Sequence, residues 1–247
     1  MKYALVSDIH EDVVSLKTAM QRIEREGCNE ILCLGDIVGF NPNYYSHGNT
    51  RNARECLDIV RQNCMTVIPG NHDLHAIEKI PAPTAAFTFP ENWYQLGPGE
   101  RKILAAGRIW LYEDGEEAPI ISDKQKQWLA GLPGAGILET ECGNILLSHY
   151  AYPNLHGALK HFYLKPDEFK AHKVFMEHNG CSISFIGHMH HPGLLISSRR
   201  IRTRSFDHSY TLKKDDCIAV PAVVDTGNGC GVCIFNTEDQ SVTAIQY

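Results

Sequence analysis

The 247-residue chain has no run of about 18 consecutive apolar residues, the length a membrane-spanning helix needs. Its opening residues, Met1 to Asp8, show no basic segment leading into a long apolar one, so a secretory signal is not expected and a cytoplasmic location is. A basic excess is missing too. The 23 Lys and Arg stand against 29 Asp and Glu, a net charge of −6 with pI near 6.1. This argues against a general nucleic-acid or lipid-surface binder, and any anionic substrate must be drawn by local positive charge. Nine cysteines are an odd number without framework spacing, which fits a reduced compartment better than disulfides. Cys230 and Cys233 form a lone C-x-x-C inside a Gly-rich strand, where packing is the preferred reading over zinc or redox chemistry.

The chain is 43% apolar, enough to bury a substantial core in one domain over 1–247. Tyr3 to Val6 reads as a first strand ending in Ser7-Asp8-Ile9-His10; two apart in extended backbone, Asp8 and His10 face one side. Val13, Leu16, Met20 and Ile23 recur at helical spacing, and Gly27 stops the helix. Ile31 to Leu34 is a second strand running into Gly35-Asp36-Ile37-Val38-Gly39. Ala53, Leu57 and Val60 mark a second helix leading to Val67-Ile68. There Pro69 and Gly70 break the strand, leaving Asn71-His72-Asp73 in the loop beyond its carboxyl end. Three strand–loop–helix alternations predict a layered α/β fold with parallel strands, whose carboxyl edge is where ligands bind.

Proline-punctuated sequence after Leu74 suggests an insertion over about 78–131, in which Ser122 to Gln125 forms a capping box opening a helix to about Leu129. Ile137–Thr140 and Ile145–Leu147 flank Gly143-Asn144 as a hairpin, and its second arm delivers Ser148-His149-Tyr150. Pro166, Asp167 and Glu168 begin a helix that stops at Asn179-Gly180. Ile183 to Ile186 is a strand ending in Gly187-His188-Met189-His190. Later apolar runs at 193–196, 217–220, 232–235 and 242–245 are expected to complete a second sheet packed on the first.

Five strand ends thus carry Asp8 and His10, Asp36, Asn71 and His72, His149, and His188 with His190. A single His or Asp after a strand is usually a cap or surface group, but no packing rule puts oxygen and imidazole donors at one edge five times. Seven donors exceed one tetrahedral shell and suit a pair of transition metals. Two divalent ions bring four positive charges against two from Asp8 and Asp36, so phosphate is the natural ligand. His47, His75, His156 and His161 lie outside these blocks and read as surface or supporting residues.

In order, Asp8-x-His10, Gly35-Asp36, Gly70-Asn71-His72-Asp73, His149 and Gly187-His188-x-His190 resemble the blocks of the calcineurin-like metallophosphoesterase family. The resemblance implies an α/β (α+β) four-layer β-sandwich flanked by helices, here with a mainly helical insertion. It implies that Asp8, His10 and His190 hold a first metal, that Asp36 bridges, and that Asn71, His149 and His188 hold a second. Mn is the expected metal, with Fe or Zn as alternatives. His72 corresponds to the family's catalytic histidine and Asp73 to the residue orienting it, with a metal-bridging hydroxide attacking phosphorus.

Gly39 and Phe40 stand where serine/threonine protein phosphatases have an Asp-Arg pair, so the chain looks closer to phosphodiesterase-like members, some resembling diadenosine tetraphosphatases. A small phosphorylated substrate, a nucleotide among the candidates, is the expected partner. Phe40 stacks on a base in one reading and packs on its neighbours in the other. Tyr150 and the insertion are candidates to cap the pocket. Arg200 and Arg202, with Arg199 and Arg204, either clamp a second phosphate or form a solvated sheet edge. The alternatives are a serine/threonine-type phosphomonoesterase, a nuclease, for which no broad basic surface is visible, and a non-catalytic scaffold like the retromer subunit that resembles this family. That subunit lacks the histidine that His72 supplies here.

Overall fold

The computed structural model describes residues 1–81, 86–112, 115–227 and 229–247, so 82–85, with Pro83, and 113–114 of the expected insertion lie outside the described residues. β1 (Lys2–Val6) is buried on both faces: Tyr3 and Leu5 enter one core, Ala4 and Val6 another. Such two-sided burial makes a strand read as an apolar run instead of an alternation. β2 (Glu30–Cys33) pairs with it in parallel and β3 (Thr66–Val67) pairs in parallel with β2, with helices α1 (Val13–Arg25) and α2 (Ala53–Asn63) as the crossovers.

Two six-stranded sheets form. The first runs β3-β2-β1-β11-β12-β9, with β9 (Tyr210–Thr211), β11 (Gly231–Asn236) and β12 (Ser241–Gln246) antiparallel to their neighbours. The second runs β4-β5-β6-β10-β7-β8, from β4 (Gly136–Thr140), β5 (Gly143–Leu147), β6 (Cys181–Ile186), β7 (Leu194–Ser197), β8 (Ile201–Arg204) and β10 (Asp216–Ala219). The expectation that the runs at 232–235 and 242–245 join the second sheet is therefore corrected. Both belong to the first, where β11 pairs antiparallel with β1 and puts Phe235 beside Tyr3 at a ring distance of 6.0 Å.

The sheets face each other across Leu5, Leu32, Phe185, Ile218 and Phe235. Outside the first sheet, α1 and α2 bury Leu16, Ile23, Leu57 and Val60 against Val6 and Ile234, each large side chain contributing ~1.5–3 kcal/mol. Asp12 caps α1 by accepting from the Ser15 N–H at 3.0 Å. Outside the second sheet, α6 (Lys170–His178) covers β6 after a 3₁₀ turn at Pro166–Phe169. The layers are thus helix, sheet, sheet, helix.

Two local expectations also shift. Asn71-His72-Asp73 is not loop but the first turn of α3 (Asn71–Ala76), because Asp73 Oδ2 accepts from the Gly70 N–H at 2.9 Å and caps the turn. The hairpin turn falls between β4 and β5, so Gly143 and Asn144 lie inside β5. Between α3 and β4, α4 (Pro98–Ala105), a 3₁₀ turn at Trp93–Gln95 and a small aromatic core around Phe87 and Trp93 precede α5 (Asp123–Ala130). α5 opens with the expected Ser122–Gln125 box and packs Leu129 into the helix-side core. Among the described residues no helix is long and apolar enough to cross a membrane. All nine cysteines are free, and Cys233 packs between the sheets.

Behind β6, buried His172 accepts the Tyr152 N–H at Nδ1 (2.9 Å) while Nε2 faces Ser184 Oγ at 2.8 Å. Burial, helped by Lys173, pushes its pKa down to about 3. The unfolded state, with pKa ~6.5, takes up this proton first, so stability falls as pH drops from about 6.5 towards 3, by about 1.4 kcal/mol per unit. Denaturant melts between pH 4 and 7 should show a slope shallower by about one proton in His172→Asn; equal slopes would assign the acid sensitivity elsewhere.

Candidate metal centre

The carboxyl ends of β1, β2, β5 and β6 and the start of α3 meet at one edge of the sandwich. Asp8, His10, Asp36, His188 and His190 all adopt positive φ, between 45° and 66°. Left-handed backbone at a non-glycine residue costs of order 1 kcal/mol or more and persists only where surroundings over-determine it. Backbone ties do so here: the Asp8 N–H donates to Gly35 O, and the Ile9 and His10 N–H groups to Asp36 O. The expected extended backbone from Asp8 to His10 is thus corrected, yet the two side chains still converge.

Three donor groups result, each with its ligand atoms within 4.8 Å of one another: Asp8, His10 and His190; Asp36, His149 and His188; and His10, Asp36 and His72. His190 Nε2 lies 3.2 Å from both Asp8 Oδ1 and His10 Nε2. His149 Nε2 lies 3.1 Å from Asp36 Oδ2 and 3.3 Å from His188 Nδ1. Each aspartate divides its oxygens. Asp8 Oδ2 accepts the His188 N–H and Asp36 Oδ1 the His72 N–H, both at 2.9 Å, leaving Oδ1 and Oδ2 respectively for the cluster. His10 and His149 direct Nδ1 at the Gly39 and Leu34 carbonyls, at 2.8 and 2.6 Å, which fixes the tautomer and turns Nε2 inward.

Burial opposes charge on both carboxyls, but His190 beside Asp8 and His149 beside Asp36 override it and hold each well below the usual range. Burial with His72 pushes His10 down to about 3, and burial with His149 does the same to His188. Burial would also lower His149, yet the Asp36 carboxylate raises it to about 9. Asp8 Oδ1 and Asn71 Oδ1 are buried without a hydrogen-bond donor, a costly state that a cation would relieve. Acceptors without donors, imidazoles with inward lone pairs and two carboxylates fit divalent metal ions.

Six of the seven sequence-derived donors fall in these groups, while Asn71 starts α3 directly before His72, whose N–H is held by Asp36. Asn71 Nδ2 donates to the Tyr112 hydroxyl at 2.9 Å, so the amide oxygen is the atom left over. Asp73, by contrast, does not orient His72: Oδ1 accepts from the Ile37 and Val38 N–H groups and Oδ2 from Gly70. It is a loop brace. The carboxylate facing His72 Nδ1, 2.5 Å away, is Glu116 Oε2. Neither Tyr112 nor Glu116 carries a local sequence signal, since both sit in aperiodic sequence about 40 residues on.

The expected substrate contacts change as well. Phe40, 3% exposed, lies under the Arg51 guanidinium, 4.8 Å from the ring centre, so it packs on its neighbours and has no free face for a base. Tyr150 is fully buried behind His188, with ring centres 4.8 Å apart, and its hydroxyl accepts the Tyr163 N–H; it supports the centre without reaching a pocket. Arg202 points its guanidinium at the Tyr210 hydroxyl (3.5 Å), and Arg200 is exposed just before β8, the edge strand of the second sheet. Of the other histidines, His47 reaches His10 O at 2.9 Å and His156 reaches Pro69 O at 3.1 Å.

A family model described as calcineurin-like phosphoesterase matches residues 1–192. The uncharacterized protein MJ0912 of Methanocaldococcus jannaschii is 38% identical over 79 residues, 31% of this chain and 28% of that protein. The match therefore spans under a third of that relative's length. A metallophosphoesterase from Sphaerobacter thermophilus overlays all of this chain and 88% of its own at TM-score 0.67 and 20% identity. The hypothetical protein PH1004 from Pyrococcus horikoshii overlays 99% of this chain and 87% of its own at TM-score 0.58 and 13% identity. At these identities the two structures bear on fold, which is that of the metallophosphoesterases. The chain belongs to the calcineurin-like phosphoesterase family.

A divalent ion that binds the folded centre at about 100 times its Kd should add about 2.7 kcal/mol of stability. Thermal melts with Mn²⁺, Fe²⁺ or Zn²⁺ should shift upward and return with chelator, and Asp36→Asn should lose most of the shift. No shift with any of these ions would remove the metal reading.

Proposed function

We propose that this chain hydrolyses phosphate esters with two divalent transition-metal ions, Mn first and Fe or Zn as alternatives. Its substrate class is a small phosphodiester or nucleotide polyphosphate. The observation that carries the reading is the overlap of the donor groups: His10 belongs to two of them and Asp36 to two, so the donors form one continuous set instead of separate sites. Asp8, His10 and His190 would hold one ion, Asn71, His149 and His188 the other, with Asp36 shared. Bound there, the ions supply Lewis-acid neutralisation of phosphate oxygens and a water of lowered pKa.

The remaining chemistry belongs to the chain. His72 comes within 4.8 Å of His10 and Asp36, and we read it as a proton donor because its Nδ1 is occupied by Glu116. Burial would lower its pKa, but Glu116 and Asp36 together raise it to about 9. An imidazole carrying a proton at neutral pH suits protonation of a departing alkoxide, and its side chain remains 20% exposed for the substrate. The centre has no arginine in the place of the protein-phosphatase Asp-Arg pair, since Gly39 and Phe40 occupy it and Arg51 is spent on Phe40 and Glu117. That supports a small diester or nucleotide over a phosphoprotein.

The test is metal-reconstituted protein on p-nitrophenyl phosphate, its bis ester, cyclic nucleotides, dinucleoside polyphosphates and phosphopeptides. Diesters or dinucleoside polyphosphates should rank first, and His72→Ala should keep its bound metal while losing about 10²- to 10⁴-fold in kcat. Metal-loaded protein that hydrolyses nothing in the panel would overturn the reading, and full activity in His72→Ala would take His72 out of it.

A further inference from the structure

We propose that Glu116 is the positioning residue of His72: it holds the Nδ1 side of the ring and so presents Nε2 to the oxygen that leaves phosphorus. This rests on the phosphoesterase reading and adds a residue to it. Among the described residues, Glu116 is the hydrogen-bonding partner of the His72 ring, at 2.5 Å, while Asp73 is committed to three backbone N–H groups. Its side chain is 3% exposed, and Oε1 is buried with no partner. Burying a carboxylate in that state is costly unless the charge serves a cationic or N–H neighbour, and His72 is that neighbour.

The placement is braced from both sides. The Glu116 N–H donates to Tyr112 O at 2.8 Å, and the Glu117 N–H donates to Phe40 O at 2.9 Å. Glu117 Oε2 also takes Arg51 Nη2 at 2.9 Å, pinning the segment to the loop after β2. On the facing side, Gly39 has φ +98°, and a Cβ there would lie 2.5 Å from His72 Cβ and Nδ1. The loop after β2 therefore makes room for the ring, and a residue far along the chain supplies its carboxylate. Tyr112 sets its ring edge-on to His72 at 4.9 Å while its hydroxyl takes Asn71 Nδ2, so one segment meets both consecutive residues at the start of α3.

A bound carboxylate fixes ring orientation, and losing the outer carboxylate partner of a histidine at a metal site typically costs about 10- to 100-fold in activity. The discriminating experiment compares wild type, E116Q, H72A and the double variant, each Mn²⁺-loaded, on phosphodiesters whose leaving groups run from p-nitrophenoxide through phenoxide to an alkoxide. E116Q should lower kcat by a factor that grows with leaving-group pKa, reaching about 10- to 100-fold for the alkoxide, with KM within about threefold and metal content unchanged. In the double variant, loss of Glu116 should add nothing to loss of His72. Wild-type rates in E116Q, an equal loss for every leaving group, or additive losses in the double variant would each overturn the role. If wild type cleaves none of the series, the phosphoesterase reading falls. The pairing is then read separately, from a low-field His72 Nδ1 proton resonance present in wild type and missing in E116Q; its absence from wild type overturns the proposal.

Discussion

Two carboxylates and three imidazoles gathered out of water, with the partly exposed His190 at their edge, are the constraint on which the rest of this molecule depends. Asp8 and Asp36 are essentially unexposed, as are His10 and His149, and desolvating such groups is expensive unless opposite charge and hydrogen bonds compensate. Compensation is partial. One oxygen of each aspartate is satisfied by a backbone N–H, while Asp8 Oδ1 and Asn71 Oδ1 are left without donors. The backbone accepts left-handed φ at five of the seven donors to keep the cluster together. A fold that concentrates electrostatic cost and backbone strain at one edge fits a cation ligand better than a packing role.

The sandwich makes that concentration tolerable. Strands buried on both faces anchor the chain up to Val6, Cys33, Leu147 and Ile186, and the donors follow within four residues of each. Rigid strands fix where each loop starts, so the short irregular segments beyond them need few additional ties. Asp73 illustrates the economy: by accepting three backbone N–H groups it joins the loop after β2 to the start of α3, bringing Asp36 beside His72. Gly70 belongs to the same join, for a Cβ there would overlap the Asp36 carboxyl.

What the sequence made legible follows from the range of the interactions involved. Strands β1 to β3, helices α1 and α2 and the box opening α5 are set by local periodicity and capping, and they fall where spacing places them. Sheet membership of β11 and β12 is not written locally because strand pairing is a long-range choice: Phe235 is as apolar as Phe185, and only the chain path sends it to β1. The conformation at Asp8 to His10 escaped for the opposite reason. Alternation assumes extended backbone, whereas local ties to Gly35 and Asp36 impose a left-handed one. Six donors that meet in the structure were legible because residue type after a strand is a local signal. Their supports were not, since Tyr150 packs on His188 and Glu116 meets His72, partners distant in sequence.

The segment carrying Tyr112 and Glu116 bears on how a common framework acquires a particular chemistry. Neither residue lies in a sheet, and their neighbourhood is tied down by single bridges, Phe40 with Glu117 and Ile109 with Leu159. Among the described residues, Tyr112 and Glu116 belong to neither of the two main cores. Yet their segment touches Asn71 and His72 directly, one through an amide and one through an imidazole. The sandwich thus fixes where donors stand, while contacts from outside it set the orientation of an amide and of an imidazole beside them. Division of labour of this kind keeps the buried charges at the strand ends apart from the residues that orient their neighbours.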